Sequence, residues 1–162
     1  MTDVLGRSQV IPYLIGLSKK GYRITILSFE KKDRLESHGT EVRNLLSKEG
    51  IQWEVEIFSS GIPILPKLLD RKRMIKRAIE LQKKDSFQLV HCRSYVAAEA
   101  GFELKKKFGL KFLFDMRGFW VDERVEGGLW NLSNPIYKLA FNRYKKLEKA
   151  MLEKADAVVC LT

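Results

Sequence analysis

The spacing of apolar residues switches repeatedly between two periods, which predicts strands alternating with helices. Residues 51–58 (IQWEVEIF) place an apolar side chain at every second position, the pattern of a half-buried or edge strand. Further strands are predicted at 22–29, 87–93, 111–117 and 156–162, the last of them buried. Helices are predicted over 8–20, 34–49, 67–84, 94–107 and 134–154, with 119–133 irregular between the last two and a loop at 59–66. Gly50 and Gly109 are expected to end the helices that they follow, and Ile136 of the last helix is expected to face inward.

This alternation predicts an α/β fold with right-handed crossovers and a Rossmann-like, doubly wound, mainly parallel sheet. The chain opens on a loop and a helix, whereas a doubly wound domain normally opens on a strand that becomes central. We therefore expect the usual first strand to be absent and the chain to be a fragment of a longer protein. Because no linker or repeat interrupts the pattern, residues 1–162 are predicted to form a single domain.

Composition narrows the function classes only in part. The formal charge of +10 and the pI of about 9.6 favour polyanionic partners: nucleic acid, anionic lipid or phosphorylated small molecules. No secretory signal is present and no apolar run is long enough for a membrane span, so a cytoplasmic location is expected. Cys92 and Cys160 lie in apolar runs and are interpreted as small buried residues, with a disulfide less favoured. The two histidines and two cysteines show no metal-ligand spacing, so no metal is expected.

The strongest chemical signal lies in residues 111–130, where an apolar strand changes abruptly into acids, bases and aromatic residues. Ligands of parallel α/β sheets bind at the carboxyl ends of the strands. Asp115, Arg117, Trp120 and Arg124 are therefore candidate substrate-binding residues. The alternative is a structural pairing of Asp115 with Arg117 and a Trp120 ring in the core.

A second candidate group ends the preceding strand. His91 can donate or accept hydrogen bonds near neutral pH, and Arg93 can bind a carboxylate or phosphate through two N–H groups. Ser94 follows them as the expected cap of a helix. The alternative is a core histidine and an Arg93 paired with Asp115 on the neighbouring strand.

The order of these segments resembles the N-terminal domain of family 4 glycosyltransferases, which have the GT-B fold of two facing Rossmann-like domains. The resemblance is carried by DVLGRSQVIPYLIGLSKKGYRITILSF, FQLVHCRSY, FDMRGFWVDER and KADAVVCLT. It implies retaining transfer of a sugar from a nucleotide sugar to the hydroxyl of a glycan or lipid-linked acceptor, commonly without a metal. It also implies that most of the nucleotide-sugar site belongs to a C-terminal domain absent from these residues, so the chain is expected to be inactive alone.

Under this resemblance the candidate residues acquire roles. Gly6, Arg7 and Ser8 occupy the place of the family's glycine-rich turn and would bind the donor diphosphate. Arg117 falls near a position where the family commonly has a histidine that contacts the transferred sugar. Because Arg117 departs from that histidine, we expect it instead to stabilise the departing phosphate charge or to bind an anionic acceptor. Trp120 would pack against a sugar ring, and Arg124 would belong to a flap on the acceptor side. No residue is assigned as a catalytic acid or base, and no cofactor is expected beyond the nucleotide-sugar co-substrate.

Two alternatives from other classes remain open. The first is an acceptor- or membrane-binding module that acts with a separate donor-domain chain, supported by the strongly basic faces of helices 67–84 and 138–154. Such a module would sit peripherally on the inner face of the plasma membrane. The second is a basic nucleic-acid-binding domain. It is less favoured, because the aromatic residues cluster with acids instead of interleaving with lysine and arginine.

Overall fold

The computed structural model describes residues 1–59 and 65–160 and consists of parallel strands alternating with helices. A short π-helical segment, Gly6–Val10, leads directly into the first α-helix. In chain order the elements are α1 (Ile11–Lys19), β1 (Thr25–Glu30), α2 (Lys32–Lys48), β2 (Gln52–Ile57), α3 (Leu65–Asp85), β3 (Leu89–Arg93), α4 (Tyr95–Phe108), β4 (Lys111–Met116), α5 (Trp120–Glu126), α6 (Pro135–Lys154) and β5 (Ala157–Cys160).

Contacts within the chain divide it into two compact units, Met1–Asp70 and Arg71–Thr162. In the first unit β1 and β2 pair in parallel, with Ile26 opposite Trp53. The core of this unit consists of buried side chains from α1, β1, α2 and β2: Ile11, Ile26, Val42, Leu46, Ile51 and Trp53. The prediction that residues 1–162 form one domain remains a prediction.

The second unit contains a three-stranded parallel sheet in the order β3-β4-β5. Alternate side chains of β4 point into the core, because successive residues of a strand face opposite sides of the sheet. Phe112, Phe114 and Met116 are buried on that side. They pack with residues of β3, α4 and α6, namely Cys92, Tyr95, Ala98 and Met151.

The predicted fold class is confirmed: helices connect parallel strands in two small open sheets. In a complete doubly wound domain with six strands, counted along the chain, the strands lie in the order 3-2-1-4-5-6. A sheet of that order without its strand 1 consists of a pair of strands and a triplet. The described strands form such a pair, β1-β2, and such a triplet, β3-β4-β5.

Several local signals explain where the elements begin and end. Gly50 follows α2 and Gly109 follows α4, both with positive φ angles of 70° and 71° that favour glycine. Asn134 caps α6 by accepting a hydrogen bond from the Ile136 amide at 2.9 Å, and Pro135 occupies the first turn.

The structure corrects four predictions. Helical backbone begins at Val4, before the predicted start at residue 8. Residues 120–126, predicted to be irregular, form α5. Strand β5, predicted to be buried, is exposed along its whole length, and so is Cys160. The reason is that β5 is an edge strand among the described strands, and an apolar sequence does not show whether another element covers it. Ile136, predicted to face inward, is 60% exposed at the start of α6.

Other predictions concern cysteine chemistry and membrane spans. Both cysteines are free, as the composition favoured, and Cys92 is buried. Burial raises the pKa of the Cys92 thiol to about 12, so it is an inert part of the core. Within residues 1–59 and 65–160, no helix has the length and apolar character that crossing a bilayer requires. The predicted loop at 59–66 falls largely outside the described residues.

Packing around Gly101 yields a stability prediction. A Cβ atom at Gly101 would lie 2.5 Å from Cys92 Sγ and 2.8 Å from Phe112 Cε2, both in the core. We expect Gly101→Ala to lower the free energy of unfolding by about 1–3 kcal/mol, because overpacking displaces these side chains. Urea denaturation followed by circular dichroism measures the change. Gly16→Ala is the matched control, since nothing lies within 4 Å of its Cβ position and alanine favours a helix. Equal stability of the Gly101 variant and the parent protein would contradict this packing.

Candidate substrate-binding site at the ends of β3 and β4

The alternation along β3 separates its core residue from its polar residues. Cys92 points into the core, so His91 and Arg93 lie on the opposite face of the sheet. Arg93 is paired with Asp115 of β4 in the parallel register. The carboxyl ends of the two strands therefore bring together three of the predicted site residues.

These three side chains form a small charged cluster. The Asp115 Oδ2 atom lies 3.6 Å from His91 Nε2 and 3.8 Å from Arg93 Nε. The three side chains are only 18–29% exposed. The Arg93–Asp115 pairing that was the structural alternative is therefore present. Both side chains still reach solvent.

Burial lowers the pKa of His91 below its usual value, and the charge of Arg93 acts in the same direction. Asp115 opposes this shift through its negative charge and a hydrogen bond. His91 is therefore predominantly neutral at pH 7, with one nitrogen donating and the other accepting. A neutral imidazole beside a carboxylate is suited to binding hydroxyl groups.

Ser94 joins the end of β3 to α4 in an unusual backbone conformation, with φ 73° and ψ 165°. Its amide donates to the Asp115 carbonyl at 2.9 Å, which ties the turn to β4. The side chain makes no capping hydrogen bond, so the predicted capping function is not observed. A non-glycine residue in this region costs on the order of 1–3 kcal/mol and is characteristic of binding sites.

Arg117 follows β4 directly and is half-buried. Its Nε atom is buried and has no hydrogen-bond partner among the described residues. The alternative pairing of Arg117 with Asp115 is not observed, since the ion-pair partners of Asp115 in the described chain are His91 and Arg93. Arg117 is thus a cation positioned at the strand end with its charge available.

Trp120 and Arg124 lie together on α5 as part of an aromatic cluster. The Arg124 guanidinium carbon stands 4.4 Å from the centre of the Trp120 ring and 5.7 Å from that of Trp130. Tyr144 makes an edge contact with Trp120 at 5.1 Å. Trp120 is partly buried and packs against the core cluster of the second unit, and its contact with Tyr144 joins α5 to α6.

A buried polar network that the sequence analysis missed attaches α5 to α4 and α6. The Tyr95 hydroxyl donates to the buried Glu148 carboxylate and also lies 3.3 Å from the Gly118 carbonyl. Lys145 Nζ donates to Glu148 at 2.6 Å and to Asp122 at 2.9 Å. Hydrogen bonds to these carboxylates raise the pKa of Lys145, and burial followed by the bond to Glu148 raises the pKa of Tyr95. The network holds the segment after Arg117 in place.

A second buried acid was also missed. Glu99 of α4 is 3% exposed and accepts hydrogen bonds from Arg71 of α3 and Arg143 of α6. One feature of the sequence indicated that Glu99 is buried: it lies between Ala98 and Ala100, two small residues of the buried part of α4. No pattern in the sequence indicated which cations would reach it.

Gly6, Arg7 and Ser8 lie in the first unit, where their groups already have partners. The Gly6 amide donates to Asp3 Oδ1 at 2.6 Å, and the Ser8 hydroxyl donates to the Val4 carbonyl at 2.7 Å. The Arg7 guanidinium lies 3.6 Å from Glu41. Diphosphate binding by these residues remains a prediction, and a ligand there would replace Asp3 as the acceptor.

Metal chemistry and cavities add two observations. Across residues 1–59 and 65–160, no group of three or more histidine, cysteine or acidic side chains is arranged to hold a metal ion. A shallow cavity of about 430 Å³ lies beside the end of α5, lined by Val125, Gly128, Trp130, Asn131, Leu132 and Ser133. This cavity is lined by uncharged residues and does not include the charged cluster at β3 and β4.

Comparison with known proteins identifies the family of this chain. A sequence model of the family described as Glycosyltransferase Family 4 matches residues 13–162. The match spans nearly the whole chain, so this chain belongs to glycosyltransferase family 4. Searches among curated proteins and among solved structures gave no match.

The charged cluster predicts how His91 titrates. We expect its pKa to be below 6.5, to fall further in Asp115→Asn and to rise in Arg93→Gln, because Asp115 stabilises the imidazolium and Arg93 destabilises it. Titration of the imidazole protons by NMR measures all three values. Because folding lowers the pKa of His91, the neutral His91 side chain contributes to the stability of the fold. That contribution is complete above pH 6.5 and is lost as the pH falls through the folded-state pKa. A rise in the His91 pKa on removal of the Asp115 charge would refute the cluster.

The polar network predicts the effect of removing one hydroxyl group. Tyr95→Phe leaves the buried Glu148 carboxylate without one of its donors and should lower the free energy of unfolding by about 1–3 kcal/mol. Urea denaturation monitored by tryptophan fluorescence reports this change. Tyr22→Phe is the matched control, because Tyr22 is 62% exposed and should change stability by less than about 0.5 kcal/mol. A Tyr95 variant as stable as its control would mean that Glu148 does not depend on this hydroxyl.

Proposed function

We propose that these residues form the acceptor-side domain of a retaining glycosyltransferase that moves a sugar from a nucleotide sugar to an acceptor hydroxyl. Membership of glycosyltransferase family 4 supports the general class of sugar transfer. The use of a nucleotide sugar as the donor and the retaining stereochemistry are part of the proposal. So is a second, donor-binding domain that acts together with these residues.

The observation that carries the proposal is the half-buried, unpaired Arg117 at the end of β4. A partly buried cation without a carboxylate partner among the described residues gains most from an anionic ligand. The reason is that folding has already removed part of the hydration of the guanidinium group, so ligand binding need not remove it again. An anionic group of the acceptor or the departing phosphate of the donor would supply that charge. Stabilising developing negative charge with a fixed cation lowers the barrier of such a transfer.

The neighbouring residues supply recognition of a polyhydroxylated acceptor. Asp115 accepts and the neutral His91 both donates and accepts, so together they fit sugar hydroxyl groups. Arg93 and Ser94 line the same strand end. Trp120 and Arg124 on α5 contribute from the following segment, where Trp120 retains a partly exposed surface.

The proposed partners follow from this role. They are a nucleotide sugar bound chiefly by the donor domain, with Gly6, Arg7 and Ser8 contacting its diphosphate, and a glycan or lipid-linked acceptor. The proposed setting is the cytoplasmic face of a cell membrane, where lipid-linked acceptors of the cell envelope are found. Nucleic acid is not among the proposed partners.

An NMR titration of the chain tests the role of Arg117. We expect glucose 1-phosphate to cause saturable shifts of the Ser94 and Gly118 amides, and Arg117→Gln to weaken this binding by about tenfold or more, since a charge-assisted pair contributes roughly 1.5–3 kcal/mol. Arg117→Lys should fall between the two, because it keeps the charge but loses the planar fork. Arg34→Gln on exposed α2 is the matched control and should bind as the parent does.

Two results would contradict the proposal. Equal binding by the parent and Arg117→Gln would remove the anion site from the end of β4. Transfer of sugar from a nucleotide sugar by this chain alone would mean that the donor site has been placed in the wrong domain, because the chain is expected to need a donor-binding partner domain.

A further inference from the structure

Two arginines from different helices converge on one buried carboxylate of the second unit. Glu99 of α4 is 3% exposed, and its Oε2 atom accepts hydrogen bonds from Arg71 of α3 and from Arg143 of α6, the latter at 3.0 Å. Two donor atoms bound to the same oxygen lie within about 6 Å of each other. The Arg–Glu–Arg cluster, meaning Arg71, Glu99 and Arg143, therefore brings two guanidinium groups to one point.

The charges of this cluster do not balance. Glu99 carries one negative charge, whereas the two arginines carry two positive charges, since arginine stays protonated in proteins. Apart from Glu99, neither guanidinium group has an ion-pair partner among the described residues. The cluster therefore retains one positive charge, and the net charge of +10 on the chain adds to its attraction for anions.

Both arginines remain accessible from outside the protein. The Arg71 side chain is 33% exposed and that of Arg143 is 42% exposed. A guanidinium group has five N–H donors, and Glu99 engages one donor of each arginine. An Arg–Glu–Arg triad that served only to join three helices would not need arginines at the surface. Glu99 thus orients two cations that still have donors to offer to a ligand.

The second oxygen of Glu99 is an independent indication of a ligand. The Oε1 atom is buried and has no hydrogen-bond partner among the described residues. Such atoms are rare in native proteins, because loss of hydration without a new hydrogen bond is costly. A ligand that combines a negative charge with a hydroxyl group would supply the missing donor after a rotation of the partly exposed arginine side chains.

We propose that the Arg–Glu–Arg cluster binds the phosphate group of a small soluble phosphate monoester that also carries hydroxyl groups. Phosphate oxygens accept from two guanidinium groups at once, whereas a carboxylate is filled by the two parallel N–H groups of one arginine. A soluble ion also reaches a recessed carboxylate more readily than a phosphate held in a bilayer does. The cluster shares no residue with the proposed site at Arg117, so it is a second anion site of this chain.

NMR titration of the chain with inorganic phosphate and with glucose 6-phosphate tests this site. We expect saturable shifts of the side-chain Nε–H signals of Arg71 and Arg143, with glucose 6-phosphate binding at least as tightly as inorganic phosphate. Arg143→Gln should weaken the binding of inorganic phosphate by about tenfold or more, because it removes a charge-assisted donor group. Arg143→Lys should weaken it by about threefold, because lysine keeps the charge but loses the planar fork.

A matched control separates the loss of this cluster from a general loss of positive charge. Arg77 also lies on α3, is 35% exposed and forms an ion pair with Glu80 of the same helix. Arg77→Gln should bind inorganic phosphate as the parent does. If circular dichroism shows that Arg143→Gln has lost helix content, Arg143→Lys and Arg71→Lys take its place, because each keeps a cation beside Glu99.

A second control separates this site from the proposed function. Arg117→Gln should leave the response of the Arg71 and Arg143 signals to inorganic phosphate unchanged. Arg143→Gln should in turn leave the shifts of the Ser94 and Gly118 amides with glucose 1-phosphate unchanged. The two proposals therefore fail independently.

Three outcomes would overturn the proposal. The first is the absence of saturable shifts at Arg71 and Arg143, or equal binding of inorganic phosphate by the parent and by the folded Arg143 variants. The second is acetate binding as tightly as inorganic phosphate, which would assign the cluster to carboxylates. The third is binding to vesicles of phosphatidylcholine with phosphatidic acid that Arg143→Gln abolishes, without binding of either soluble phosphate. That result would assign the cluster to a lipid headgroup.

Discussion

The parallel register of β3 with β4 is the constraint on which the rest of the second unit depends. It places Arg93 opposite Asp115, and the alternation of side chains then puts Cys92 and Phe114 in the core while the charged residues face the other way. A shift of one residue would reverse every side chain. The core packing beneath α4 therefore fixes the geometry of the charged cluster as well as the stability of the sheet.

The second constraint is that the carboxylates buried away from the strand ends need hydrogen-bond donors. Glu148 and Glu99 are nearly inaccessible. Glu148 accepts hydrogen bonds from Tyr95 of α4 and from Lys145 of its own helix. The Oε2 atom of Glu99 accepts from Arg71 of α3 and Arg143 of α6, while its Oε1 atom has no hydrogen-bond partner among the described residues. Removing one partner of such a pair leaves a carboxylate buried without compensation, which is costly. These networks connect α4, α5 and α6, so the segment that carries Trp120 and Arg124 is positioned by distant residues.

Prediction from sequence succeeded where a pattern reports local structure. The β2 alternation, the helix stops at Gly50 and Gly109, and the clustering of His91, Arg93 and Asp115 at neighbouring strand ends all followed from spacing and the parallel-sheet rule. It failed where burial depends on neighbours. The apolar run of β5 and the apolar Ile136 both proved to be exposed, because hydrophobicity alone does not show which face another element covers.

The sequence by itself determined the α/β class, the family and the positions of the polar residues at the strand ends. These depend on periodicity and on residue order, which the chain carries locally. Only the tertiary structure decided that Asp115 pairs with His91 and Arg93 while Arg117 stays unpaired among the described residues. Partner choice depends on distances of a few ångströms between elements remote in sequence, because charge interactions fall steeply once solvent intervenes.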